Sequence, residues 1–425
     1  MKSPLLPIFL IVVVDILGLT IMLPLLPFYA EHFGASPTVV GVLVSTYALC
    51  QLVAGPVLGQ LSDHIGRKPV LMASQIGTFT GFLVLAFAPN LLVVFLGRII
   101  DGLTAGNLSI AQAYIADVTA PKDRARAFAI IGIAFGIGFL IGPGASGYLT
   151  NHYGYEVPIL CAAALSMLSI LGTLFLLPAN PVVPEDEPGR RPPYGAGEMA
   201  ANAQQEIEAP VAPGGKRLKV LDWGTYIGYF RRPVLGGLLL EFFLFTFAFA
   251  TFTAGFALFA ERRYTWHGAP FGPKEVGYIF MYSGFLGIIV QGAMRQGALV
   301  KGFGEVRLVT MGFLFGAAGY AMLGFSYGIA SLLFAAGLSS FGTGVLRPAL
   351  TSLITQQVGR SEQGVVLGLN QSLLSVAQII GPAIAGALID SGHLSIWAFW
   401  AAAIMAVALL LNFRAREGRA EVASG

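Results

Sequence analysis

Charge is scarce in this chain: Asp, Glu, Lys and Arg make up 11% of its 425 residues, where a soluble domain carries about 25%. Water is therefore excluded as the main solvent, and a hydrophobic content of 56% agrees. Cysteine is nearly absent. Cys50 and Cys161 both fall inside apolar runs and say nothing about the redox compartment. The five histidines (32, 64, 152, 267 and 393) lie in loops or at the ends of runs without ligand spacing, so no metal site is expected. No GxxxxGK[ST] segment is present, which excludes a P-loop and ATP as the energy source. No nucleic-acid partner and no cofactor are expected.

Long apolar runs are abundant instead. A spanning helix needs about 20 mostly apolar residues, and twelve such runs lie near 5–30, 38–62, 70–88, 91–117, 125–150, 157–178, 234–260, 275–296, 306–325, 329–357, 363–389 and 394–413. They are continuous rather than alternating and longer than the roughly ten residues of a barrel strand. The expected fold class is an all-α membrane protein. Of the 25 Lys and Arg, only Arg262, Arg263 and Lys274 fall on the side opposite the N-terminus, and Arg98 and Arg347 fall within runs. The positive-inside rule then puts both termini in the cytoplasm of a multi-pass protein. The first run is too long, and too lacking in a small-residue cleavage site, to be a removable signal peptide.

Composition changes abruptly after the sixth run. Residues 179–232 are rich in Pro, Gly and charge at first and read as a cytoplasmic linker. Near 216–231, basic residues alternate with Trp223, Tyr226, Tyr229 and Phe230, which suits an amphipathic helix on the inner membrane surface. The linker separates a six-span bundle over 1–178 from a second over 233–414, with 415–425 as a tail. The halves repeat each other: LIGPGASGYL around Gly142-Pro143 aligns with IIGPAIAGAL around Gly381-Pro382, and GQLSDHIGRKPVL from Gly59 aligns with GALVKGFGEVRLV from Gly297. FYAEHFG at Phe28 likewise matches FAERRYT at Phe259.

Specific motifs sit on this plan. GQLSDHIGRK lies between runs two and three, LGRIIDG in run four, GIGFLIGPGASG in run five, VVVDILGLTIMLPLLP in run one and IADVTAPKDRARAF after run four. With these the chain resembles the major facilitator transporters, and within them the twelve-span tetracycline and drug/proton antiporters. It departs at Ser146, where the run-five signature has Gly, and at Asp101, which is not a tetracycline-exporter feature. The resemblance implies two pseudo-symmetric six-helix bundles working by alternating access, proton coupling through the run-four Arg, and a role for the run-five motif in antiport.

The residues make physical sense in their own right. A charge at mid-bilayer costs about 2.5–3.5 kcal/mol on insertion scales, yet Asp15, Arg98 and Asp101 stand in runs one and four. At 1.5 Å per residue both carboxylates lie roughly 15 Å deep, and Arg98 and Asp101, three apart, share a helix face. These three are the proton-coupling candidates, with a permanent structural ion pair as the alternative. Glu241 in run seven and Arg347 in run ten form a second pair, either touching substrate or neutralising each other. Asn107, Gln112, Gln371 and Gln378 could add hydrogen bonds to substrate, although a helix–helix contact is the commoner fate. Asp63, Arg67, Lys68 and Asp117 gather at the cytoplasmic turn, where an Asp–Arg bridge would latch the halves shut; a topological anchor is the alternative. Gly138, Gly142, Pro143 and Gly147 of run five, together with a second small-residue pair at Gly132 and Gly136, suit close helix packing.

The function expected is proton-coupled antiport of an amphipathic organic compound out of the cell, by a monomer in the inner or plasma membrane among its lipids, driven by the proton gradient. A symporter or uniporter of a small polar nutrient is the alternative, and a membrane enzyme or sensor a remote one.

Overall fold

The computed structural model describes residues 5–119, 124–178, 223–296, 298–359 and 362–424. Apolar runs become helices because no water is available to satisfy a spanning backbone, which must bond to itself. The first half comprises α1 (Leu5–His32), α2 (Pro37–Ile65), α3 (Arg67–Ala86), α4 (Leu91–Leu103), α5 (Asn107–Val118), α6 (Arg124–Tyr153) and α7 (Glu156–Leu176). A short α8 (Trp223–Phe230) follows; residues 216–222 of the expected surface helix lie outside the described residues. The second half comprises α9 (Pro233–Arg263), α10 (Pro273–Arg295), α11 (Ala298–Phe303), α12 (Glu305–Phe325), α13 (Ile329–Gln356), α14 (Gln363–Asp390) and α15 (Leu394–Ser424). Between α9 and α10, β1 (Thr265–Trp266) and β2 (Ala269–Pro270) make a small antiparallel hairpin.

Counting α4 and α5 together, twelve of these segments are long and apolar enough to cross a bilayer. Three details depart from the expectation. The fourth run is two helices rather than one. The turn between the eighth and ninth runs contains α11. The last helix continues to Ser424, through the segment expected to be a tail.

The described residues divide into two compact units. One comprises the chain up to Phe33 and from Thr46 through α7; the other comprises Gly34–Ser45 and everything from α8 onward. The start of α2 joins the second unit through side chains: Ser45 Oγ donates to the Ile379 carbonyl at 2.6 Å and Thr38 Oγ1 to Asp390 at 2.6 Å. Gly386 leaves room there for the Pro37 carbonyl.

Inside the first unit, Ile8, Ile11 and Val12 of α1 pack with Leu71 of α3 and with Ile110, Tyr114 and Ile115 of α5. Lipid is as apolar as these side chains, so close packing rather than escape from water holds such helices together. Small residues set how close. A Cβ on Gly142 of α6 would collide with Thr20 of α1, and one on Gly138 with Ile16. Gly147 and Pro143 are buried in the same helix, whereas Gly132 is exposed with nothing near it, so the expected packing role of Gly132 is not realised. The second unit repeats the device, with Gly381 of α14 against Thr251 of α9 and Pro382 inside α14. Gly66 (φ 99°) and Gly304 (φ 75°) likewise open α3 and α12 from a backbone conformation that favours glycine.

Candidate functional site

The fourth span breaks at Thr104-Ala105-Gly106, and α3 holds the break. Ser74 Oγ accepts from the Gly106 N–H at 2.9 Å and donates to the Thr104 carbonyl, while Gly77 leaves space for the Thr104 side chain. Sequence reasoning missed this joint, although Thr-Ala-Gly-Asn is a recognisable stop and restart of helix. One turn further along, Gly81 and Gly97 let α3 and α4 approach until a Cβ on Gly81 would stand 2.9 Å from the Asp101 Cβ. That approach fixes α4 and its charges.

Arg98 and Asp101 form an ion pair, Nη1 to Oδ2 2.7 Å, with each residue 5% exposed. The Arg98 guanidinium lies 4.2 Å from the centre of the Tyr47 ring, and Thr78 lines the same cavity as Asp101. The two opposite charges and the ring offset much of the cost of burying a cation. Arg98 Nε still lacks a hydrogen-bond partner. A cavity of about 100 Å³ within the first unit is lined by Arg98, Asp101, Tyr47, Gln51, Asn107 and, from α1, Asp15. Asn107 Oδ1 is buried there and unpaired.

Asp15 has different company. Its carboxyl lies near the side chains of Ser169 and Gln75, and Gln75 Nε2 donates to Ser169 Oγ at 2.8 Å. The two candidate acids thus share a cavity, Asp101 ion-paired and Asp15 near neutral polar groups. Tyr47, Gln75, Thr78 and Ser169 were not foreseen, because nothing in an apolar run marks which of its polar residues meets a charge on another helix.

In the second unit Glu241 is 1% exposed and accepts from Asn412 Nδ2 of α15 at 3.1 Å, while Thr310 of α12 donates to Asn412 Oδ1 at 2.7 Å. Arg347 is exposed on α13. Asn412 therefore ties α9, α12 and α15 together. Gln112 and Gln371 are exposed and Gln378 is half-buried.

At the turn between α2 and α3, Arg67 bridges Asp63 and also Asp117 of α5, the latter at 2.9 Å, and donates to Ser62 at 2.6 Å. Lys68 leaves that cluster and donates to the carbonyls of Leu174 and Leu177, at 2.8 and 2.6 Å, capping the last turn of α7, where a cation meets the negative end of the helix. All these bonds lie within the first unit.

Twelve spanning helices, a buried ion pair in the first half and a glycine device repeated in both halves define a multi-pass membrane transporter rather than an enzyme. The Major Facilitator Superfamily profile matches residues 8–296 and 296–424, and the chain belongs to that superfamily. It is 31% identical over 381 residues to the class C tetracycline resistance protein of Escherichia coli, covering 89% of this chain and 87% of that one. It is 25% identical over 378 residues to multidrug resistance protein 2 of Bacillus subtilis strain 168, covering 89% and 86%. The crystal structure of the human organic anion transporter MFSD10 (TETRAN) superposes with a TM-score of 0.67 at 22% identity, over 97% of this chain and 99% of that one.

Proposed function

We propose that this transporter exchanges protons for an amphipathic organic compound, exporting it across the inner or plasma membrane as a monomer with both termini in the cytoplasm. The observation that carries the reading is the coexistence, around one cavity of the first unit, of the Arg98–Asp101 ion pair and a second carboxyl, Asp15. A charge at mid-bilayer without a counter-charge is costly, which makes Asp15 the first candidate to carry the proton and Asp101, beside its arginine, the second. Arg98 pairs with Asp101; when the pair opens, the guanidinium becomes available to polar groups in the cavity. The likeness to tetracycline and multidrug resistance proteins supports export as the direction. The proton gradient supplies the energy, with no cofactor, and the bridges of Arg67 to Asp63 and Asp117 brace the cytoplasmic end of the first unit.

Proteoliposomes with an imposed pH gradient test this. Asp15→Asn should abolish gradient-driven accumulation while sparing exchange of substrate for substrate, which need not move a proton. Driven accumulation at the parent rate in both Asp15→Asn and Asp101→Asn would refute the proposal. Substrate moving with protons rather than against them would instead make the chain a symporter.

A further inference from the structure

The second unit holds a larger cavity, about 440 Å³, away from every charged site described above. Its walls come from α10, α11, α12 and α13, and its lining is apolar and aromatic: Phe303, Met311, Phe315, Phe334 and Phe341 stand around Gly337. Phe334 and Phe303 are 61% and 46% exposed, so the space opens to the outside of the unit, where a membrane protein meets lipid. Phe315 and Phe341 cross edge to face at 5.1 Å. Tyr282 closes one side; a Cβ on Gly337 would stand 3.3 Å from its hydroxyl. The missing side chain at Gly337 is thus part of what makes the groove.

The groove has a direction and a charged mouth. α12 and α13 run antiparallel, Gly312 meeting Leu346 and Gly319 meeting Ser339. Phe303 therefore marks the end where α12 begins, and Phe315 lies about 15 Å further in, roughly the depth of one leaflet's hydrocarbon. At that same end Arg307 stands four residues before Met311 and eight before Phe315, on one helix stripe, and Lys301 lies beside Phe303. Both cations are exposed, and neither has an ion-pair partner among the described residues. The nearby carboxylate of Glu305 is engaged elsewhere, accepting from Ser352 at 2.8 Å and Gln356 at 2.9 Å on α13.

From this geometry we infer that the groove is a binding site for one acyl chain of an anionic phospholipid, whose headgroup phosphate pairs with Arg307 and Lys301. This does not depend on proton coupling or on the identity of the exported compound.

The full chain, reconstituted in phosphatidylcholine vesicles, is irradiated with trace phosphatidylglycerol carrying a diazirine in its acyl chain, or with the matching phosphatidylcholine probe. Adducts are mapped by peptide, with the exposed Phe175–Leu176 end of α7 as the reference for ordinary surrounding lipid. Groove adducts should favour the anionic probe over the reference surface, saturate as it is added, and be competed by unlabelled phosphatidylglycerol. The double variant Arg307→Gln, Lys301→Gln should remove that preference, a loss of roughly fivefold for each cation. Gly337→Leu should cut groove labelling by both probes and leave α7 labelling unchanged. Because the cation variants alter exposed positions only, they report even if Gly337→Leu folds poorly. Equal labelling of groove and α7 by both probes, or headgroup preference that survives the double variant, overturns the inference.

Discussion

Thr20 Oγ1 donates a hydrogen bond to the Gly138 carbonyl at 3.0 Å, across the crossing of α1 and α6, while also bonding its own helix at Ile16 O, 2.9 Å. The hydroxyl sits over Gly142, where any side chain would strike it. Gly142→Val should therefore lower the thermal midpoint of the purified protein, by a cost of ~1–3 kcal/mol typical of overpacking. Gly381→Val, against Thr251, should do the same. Gly132→Ala, with open space around it, should be neutral or stabilise by up to ~1 kcal/mol.

Breaking the buried pair of Arg98 and Asp101 should destabilise as well as inactivate. Removing one member of such a pair costs about 3–5 kcal/mol, chiefly because the other is left charged. Arg98→Met and Asp101→Leu should each lower expression and melting temperature, whereas the double variant should recover most of the stability but no driven transport. Wild-type activity in Arg98→Met would remove the arginine from the mechanism. Arg98→Lys tests the planar group separately, since an ammonium keeps the charge and loses the fork.

Lys68 and Arg67, adjacent in sequence, should behave differently. Lys68→Gln removes a cap from α7 and should cost ~0.3–1 kcal/mol, seen as faster hydrogen exchange at the end of that helix with turnover little changed. Arg67→Gln leaves Asp63 and Asp117 without their shared cation and should slow turnover in proteoliposomes. Equal effects from both substitutions would count against a special role for Arg67.

Acidification should release the segment after α8. Arg232 grips Glu362 with two hydrogen bonds, 2.8 and 3.1 Å, and this bond holds the Glu362 carboxyl below its ordinary value of 4.5. A depressed carboxyl stabilises the folded arrangement fully above its ordinary value and loses that contribution as pH falls through the lowered one. Protection of the amides around Arg231 and Arg232, taken relative to their intrinsic exchange rates at each pH, should thus hold above the ordinary carboxyl value of 4.5 and fall at lower pH, by no more than the ~0.2–1 kcal/mol of an exposed pair. Glu362→Gln should show the lower protection at every pH.

Length and hydropathy alone located all twelve spans, because a bilayer imposes one dominant requirement on every crossing segment. What stayed hidden depends on neighbours. The break at Thr104–Gly106 is held by Ser74, thirty residues earlier. α11 is too short for any periodicity to show. The charge of Arg98 and its spacing from Asp101 were legible, since both lie on one helix, but the polar side chains near Asp15 come from α3 and α7. Glu241 could be seen as costly, yet its hydrogen-bond donor is Asn412, an ordinary asparagine near the end of the last span.

The internal repeat lets the two halves be compared as duplicates that have diverged. In the register that sets Thr20 beside Thr251 and Phe28 beside Phe259, Asp15 falls opposite Thr246. That threonine is 3% exposed and spends its hydroxyl on the carbonyls of Phe242 and Phe243 in its own helix, at 2.9 and 3.0 Å. The copies kept the hardware of helix contact, glycine facing threonine and a glycine turn before the third span, and parted in electrical character at this position. Equivalent points of the two halves thus carry a carboxyl in one and a hydroxyl satisfied by its own helix in the other, so the same substitution made at both would have different electrical consequences.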